Sequence, residues 1–237
     1  MTGVDTLILE LASKQDTFTL KEAYQCCLVS LDAEKTKIRK RLSALVGSGQ
    51  LVRKGSGTYA LSDKPVFRPQ VSNEVKELYE SIKLDYPFTK VCVYEGPWIS
   101  PLLHHLASNQ TIYVEVEKDA SEFVFDYLKA DGVKAFYKPD QDMVYRYINW
   151  DERNVFVKNL VSEAPLQKIE GILVSTLEKI LVDIYCDSDF SYLQGSEYER
   201  IAENAMSIFN INKTKLLRYA KRRGVKEELE KIYNVPV

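Results

Sequence analysis

Residues 33–61 constrain the fold more than any other part of the chain. Between Lys35 and Lys54 stand Lys35, Lys37, Arg39, Lys40, Arg41, Arg53 and Lys54, with no acidic residue among them. Ile38, Leu42 and Leu45 recur at helical spacing and form one apolar stripe, while Lys37, Lys40 and Ser43 point the opposite way. Arg39 flanks that outer face, and Lys35 and Arg41 border the stripe. Gly47 and Gly49 end the helix. Residues 51–53 and 58–61 then pair as a hairpin across Lys54-Gly55-Ser56-Gly57, whose glycines supply positive φ. Upstream, Leu7, Ile8 and Leu11 predict a first helix over residues 4–13. Thr19 is placed to cap a second helix through about residue 28, and Asp32 to cap the third.

Three helices followed by a hairpin, in that order, predict a winged helix-turn-helix. Such a unit sets its basic helix into the major groove of duplex DNA and rests the hairpin tip on phosphates. The expected DNA-binding residues are therefore Lys37, Arg39, Lys40 and Ser43 in the groove, with Lys35, Arg41, Arg53 and Lys54 on the backbone. A basic helix that merely faces water is the plainer alternative, but it would not need the hairpin. Winged helices that bind only protein are a further one.

At 237 residues the chain is long enough for two domains. Its net charge of −2 conceals an asymmetry. Residues 1–70 hold 11 Lys/Arg against 7 Asp/Glu, or +4, which leaves 21 against 27, or −6, from totals of 32 and 34. A basic head on an acidic body suits different partners at the two ends. Hydrophobic content of 45% beside 28% charged residues argues against overall disorder. Cys26, Cys27, Cys92 and Cys186 contain no Cys-x-x-Cys pair, so reduced, mostly buried thiols are expected. No basic segment followed by an apolar run opens the chain, and the longest apolar region, residues 169–186, is broken by Glu170, Glu178, Lys179 and Asp183. Neither a signal peptide nor a membrane span is expected, and the cytoplasm is the expected location.

Pro65 and Pro69 predict a semi-rigid linker over residues 65–71. It separates a winged helix-turn-helix over residues 1–64 from an α/β domain over residues 72–237. In that domain helices are expected at 73–84, 100–107, 119–130, 176–186, 197–209 and 213–233. Strands are expected at 90–94, 111–117, 133–137 and 154–160, with residues 166–172 beside them. The fold class is α+β in two domains, the second an alternating α/β domain with a helical tail.

The stretch Ser175-Thr176-Leu177-Glu178-Lys179-Ile180-Leu181-Val182-Asp183-Ile184-Tyr185 resembles the Ser/Thr-x-Glu-Lys/Arg-x-Leu-x-Asp segment of the AbiEi antitoxins. Leu216, Ala220 and Gly224, within residues 213–224, are similar to that family's terminal Leu-x-x-x-Ala-x-x-x-Gly helix. Val116-Glu117-Lys118-Asp119-Ala120 and its helix are similar to the middle of the same domain, whereas residues 138–153, around Trp150, match no motif of the family. The resemblance implies a repressor of its own operon in a type IV toxin–antitoxin, or abortive-infection, system. It also implies a C-terminal domain that counteracts a nucleotidyltransferase toxin, directly or only functionally.

Local chemistry gives residues 175–185 a structural role first. Thr176 can cap, Glu178 lies in the first turn, and Leu177, Ile180, Leu181 and Ile184 form a buried stripe. Lys179 and Asp183, spaced i,i+4, are expected as a surface pair worth a few tenths of a kcal/mol. A second basic cluster, Lys213, Lys215, Arg218, Lys221, Arg222 and Arg223, suits an acidic partner, a further stretch of DNA backbone, or simply water.

Catalysis has one constellation in its favour. Glu115 and Glu117 project to one side of a strand and two carboxylates there could hold Mg²⁺. Gly96-Pro97-Trp98-Ile99-Ser100 lacks the Gly-Ser pair that would cradle a phosphate, however, and an edge strand with its polar side in water is the expectation. His104 and His105 diverge by about 100° on a helix and cannot share a metal unaided. No nucleophile motif or Gly-x-x-x-x-Gly-Lys loop appears. No catalytic residue, cofactor or metal is therefore expected. The rival readings are a winged-helix protein-interaction adaptor and a divergent nucleotidyltransferase.

Overall fold

The computed structural model describes residues 2–104 and 109–233. The chain is α+β and divides into two compact units, Met1–Phe67 with Ile208–Asn212, and Arg68–Ser207 with Lys213–Val237.

The first unit runs α1 (Gly3–Ser13), β1 (Phe18–Thr19), α2 (Leu20–Leu31), α3 (Lys35–Gly47), β2 (Leu51–Gly55) and β3 (Thr58–Leu61). Capping boxes start the first two helices: Thr2 exchanges bonds with Asp5, and Thr19 with Glu22. Val4, Ile8 and Ala12 on α1, Ala23 and Cys27 on α2, and Ile38, Leu42 and Leu45 on α3 turn buried stripes onto one core. Phe18 and Leu51 close it. The sheet has the order β1-β3-β2 and is antiparallel throughout. Two-residue β1 is too short to show a period in sequence; Phe18 holds it in place by stacking on Tyr59 at 5.6 Å. Asp32 does not cap α3. It ends α2 in left-handed backbone at φ 47°, and α3 starts after Glu34 without a side-chain cap. Gly49 sits at φ +71°, where a Cβ would lie 2.5 Å from Val66 Cγ2, so only glycine fits this turn.

The second unit runs α4 (Asn73–Asp85), β4 (Val91–Glu95), a 3₁₀ helix (Gly96–Leu102), β5 (Ile112–Val116), α5 (Ser121–Ala130), β6 (Ala135–Tyr137) and α6 (Gln141–Tyr147). It continues with β7 (Val155–Asn159), β8 (Leu166–Ile169), β9 (Ile172–Ser175), α7 (Leu177–Cys186) and a 3₁₀ helix (Ser188–Leu193). Helices α8 (Ser196–Ile208), α9 (Lys213–Arg223) and α10 (Lys226–Ile232) complete it. The sheet is mixed, six strands in the order β6-β7-β5-β4-β9-β8.

Register decides which side chains share a face. Tyr94 opposes Tyr113 and Cys92 opposes Glu115, while Phe156 and Lys158 of β7 lie beside Tyr113 and Glu115. The other face presents Val91, Val93, Val114, Val116, Val155 and Val157. All five residues of β4 and of β5 are buried, as expected for strands covered on both sides.

Four expectations change here. Strand β5 is central rather than an edge. Residues 166–172 are no single strand but part of a hairpin, β8–β9, turned by Glu170 and Gly171 at φ 50° and 87°. The helix expected at 213–233 breaks into α9 and α10 at Gly224, φ +78°. The helix expected at 100–107 is the preceding 3₁₀ turn; its residues 105–107, with His105, lie outside the described residues. Helix α6 was unexpected and is started by Asp140, whose carboxylate accepts from Met143 N at 2.8 Å.

Candidate functional site

Two sites emerge, one in each unit. On α3, the buried stripe of Ile38, Leu42 and Leu45 turns Lys35, Lys37, Arg39, Lys40 and Ser43 outward, and all five are exposed. Arg53 and Lys54 are exposed on β2, leading into the hairpin tip. Among the described residues, none of these lysines and arginines forms an ion pair. Lys35 Nζ and Arg39 Cζ each lie 5.8 Å from the centre of the Tyr24 ring, which α2 supplies. Arg53 Nε donates to the Gly55 carbonyl at 3.2 Å.

Arg41 stands apart from this set. Its Nε donates to Asp5 Oδ1 at 2.6 Å and its NH2 group pairs with Oδ2. Asp5 is only 1% exposed and also accepts from Thr2 N at 2.8 Å. The Arg41 hydrogen bond, against the effect of burial, holds the Asp5 carboxyl down at about 2. Arg41 therefore ties α3 to α1, and this pairing sets it apart from the other residues expected on phosphates.

The second unit contains a chain of alternating charges. Glu115 Oε1 accepts from Lys179 Nζ at 2.5 Å, and the same ammonium donates to Asp183 Oδ2 at 2.5 Å. Asp183 Oδ1 accepts from Arg223 NH1 at 2.6 Å and from Tyr219 Oη at 2.8 Å. Arg223 NH2 pairs with Asp187, Asp187 pairs with Lys158, and Lys158 donates to Asp189 at 2.9 Å. The order is thus Glu115–Lys179–Asp183–Arg223–Asp187–Lys158–Asp189, acid and base in turn.

Position in the chain orders the acidities. Glu115 and Asp189 are its ends and meet one cation each, so burial prevails and raises both, Glu115 to about 7. Asp187 is partly buried, which would raise it, but it lies between Lys158 and Arg223, and together they hold it below the usual carboxylate range. Lys158 and Lys179 are raised although burial opposes it: the carboxylates Asp187 and Asp189, and Asp183 and Glu115, keep them protonated.

These contacts revise the sequence assignments. Lys179 and Asp183 are 0% and 1% exposed, so they form a buried ion pair and not a surface one. Glu115 faces this interior, whereas Glu117 lies beyond the end of β5 and is exposed, so the two do not form a paired site. Thr176 precedes α7 with suitable backbone, yet its hydroxyl makes no capping bond and is buried without a partner among the described residues. The second basic cluster is divided. Arg223 points inward, Lys213 donates to the Tyr233 carbonyl at 2.5 Å, and Arg222 Nε donates to Ser162 Oγ at 2.8 Å. Lys215 is also engaged, while Arg218, Lys221 and Arg222 remain exposed. Cys26, Cys27, Cys92 and Cys186 are free thiols, and burial pushes Cys92 and Cys186 up to about 12.

Sequence inspection missed Lys158, Asp187 and Asp189. A signal existed for the first: a lysine closing the apolar run Val155-Phe156-Val157 must find a buried acid if that run is a covered strand. Among the described residues no group of His, Cys, Asp and Glu is placed to hold a metal ion, and no helix is long and apolar enough to cross a membrane.

The model of a protein family of unknown function, DUF6577, matches residues 37–236, the greater part of the chain. The chain belongs to that family. The match takes in most of α3, the hairpin and every member of the charge chain. No curated protein matches.

Proposed function

We propose that the chain is a DNA-binding transcriptional repressor and the antitoxin of a type IV toxin–antitoxin system, with its first unit acting as a winged helix-turn-helix. The observation that carries the DNA-binding half is the set of exposed, unpaired cations along one side of α3 and on β2. A phosphodiester backbone neutralises such cations by releasing condensed counterions, and a duplex groove accepts a helix of this kind. Lys37, Arg39, Lys40 and Ser43 enter the groove; Lys35, Arg53 and Lys54 hold phosphates. Tyr24 underlies Lys35 and Arg39 and limits their wandering.

Support for the antitoxin half comes from the AbiEi resemblance. Its two main anchor segments, residues 175–185 and 213–224, meet through Asp183, which accepts from both Tyr219 and Arg223. The segments are thus parts of one packed unit rather than separate motifs.

Fluorescence anisotropy with DNA tiled from the protein's own upstream region tests the first half. Arg39→Glu with Lys40→Glu is expected to weaken binding on the order of 100-fold at 0.1 M salt without altering the melting curve. Wild-type affinity in that variant would remove the groove assignment. Absence of duplex binding, with capture of a protein by the first unit, would favour the adaptor instead. For the antitoxin half, coexpression with a nucleotidyltransferase encoded next door should restore growth. Continued toxicity would remove that half alone.

A further inference from the structure

The second unit carries a half-open cavity of about 190 Å³ whose walls include Glu115, Lys138, Asn159, Asp183, Tyr219 and Arg223. Within the charge chain, Asp183, Asp187, Lys158 and Lys179 all have partners on both sides. Two groups on the cavity wall are left over. Glu115 is 3% exposed, gives Oε1 to Lys179, and keeps Oε2 buried without a hydrogen-bond partner among the described residues. Lys138 is exposed, and its ammonium rests 4.4 Å from the centre of the Tyr137 ring with no acidic partner among the described residues. Donors are in surplus near the wall as well. Arg223 has N–H groups beyond those given to Asp183, Asp187 and Tyr219. Asn159 accepts from Ser121 Oγ at 2.7 Å and keeps its amide N–H groups.

A carboxylate short of donors in the interior, with a cation at the surface that meets the Tyr137 side chain but no acid among the described residues, complements a molecule charged oppositely at its two ends. Size narrows the choice, because sites for drug-sized molecules usually enclose roughly 300–1,000 Å³. A volume of 190 Å³ suits something smaller. We propose that this cavity binds a small zwitterion of amino-acid size, its ammonium directed to Glu115 and its carboxylate to Lys138, Asn159 and Arg223. Glu115 and Lys138 then set specificity, since a molecule without an N–H or O–H donor at that end would leave the Glu115 oxygen unmatched, and an ammonium matches its charge as well.

Thermal melting of the full chain with each of the twenty common amino acids, at millimolar concentration, tests this. Inorganic phosphate and nucleoside monophosphates serve as parallel probes. At least one amino acid should raise the melting temperature saturably, and calorimetry should show its affinity about tenfold weaker in Lys138→Ala and in Glu115→Gln. Lys138 is exposed, so Lys138→Ala decides the matter even if Glu115→Gln is poorly folded. No response to any amino acid would overturn the proposal, as would unchanged affinity in Lys138→Ala. Stabilisation by phosphate or nucleotides alone would overturn it in favour of an anion site.

Discussion

Replacing Lys179 by methionine removes the cation that, among the described residues, alone touches Glu115 Oε1, and one of the partners of Asp183. Lys179 is 0% exposed, and so no water takes its place without opening the interior. Breaking a buried ion pair from one side costs roughly 3–5 kcal/mol, whereas a solvated i,i+4 pair is worth about 0.3–0.5 kcal/mol. Against a typical stability of about 5–15 kcal/mol, the larger figure is a third of the total or more. At roughly 2–4 °C per kcal/mol for a unit of this size, the melting point should fall by about 6–20 °C. Urea titration followed by tryptophan fluorescence reads the right unit, because Trp98 and Trp150 both belong to it. Acid supplies an internal control. Below pH 7 Glu115 takes up a proton, so the deficit of Lys179→Met should shrink toward pH 5. A loss near 0.5 kcal/mol, independent of pH, would place both side chains in solvent and refute the buried chain of charges.

Other perturbations have equally definite outcomes. The Glu115 carboxyl is raised from 4.5 to about 7, so its contribution is fully present below pH 4.5 and lost as pH rises through 7. That interval amounts to roughly 3 kcal/mol, and Glu115→Gln should flatten this part of a stability–pH profile; an unchanged profile would contradict it. Asp5 is lowered from 3.8 to about 2, so its contribution is present above pH 3.8 and lost as pH falls toward 2. Arg41 is 35% exposed, so solvent screens this pair. Arg41→Ala should lower the denaturant midpoint slightly yet leave the salt dependence of DNA binding unchanged; a slope shallower by about 0.9 would return Arg41 to the phosphate contacts. A Cβ on Gly96 would lie 2.3 Å from the Asn109 carbonyl oxygen, so Gly96→Ala should cost about 1–3 kcal/mol, and a wild-type melting point would refute the close approach.

What the sequence disclosed depends on the range of the interaction involved. The helices of the first unit, the Thr19 cap and the Ile38–Leu42–Leu45 stripe follow from spacing within a few residues, and the structure shows them. The strands 112–116 and 155–159 were equally visible as β-branched runs. Their neighbours were not. Sheet order depends on pairing between distant segments, so the central position of β5 and the inward turn of Glu115 had no local mark. The Asp5–Arg41 pair joins residues 36 apart, and Arg223 reaches back 40 residues to Asp183. Each of those arginines looked like surface charge because its acid stands in another element. Lys179 and Asp183 show the same limit from the other direction. Their spacing correctly pairs them, but only the packing of α7 beneath α9 and the sheet makes the pair interior.

Salt dependence of duplex binding tests the central claim most directly. With about three phosphates neutralised by Lys35, Arg53 and Lys54, log affinity should fall against log salt with a slope of roughly −3, steeper if the groove cations Lys37, Arg39 and Lys40 also reach the backbone. Arg53→Ala with Lys54→Ala should make that slope shallower by about 1 to 2 at unchanged melting temperature. A flat dependence, or no measurable association with any duplex at low salt, would contradict the assignment of α3 and its hairpin to DNA.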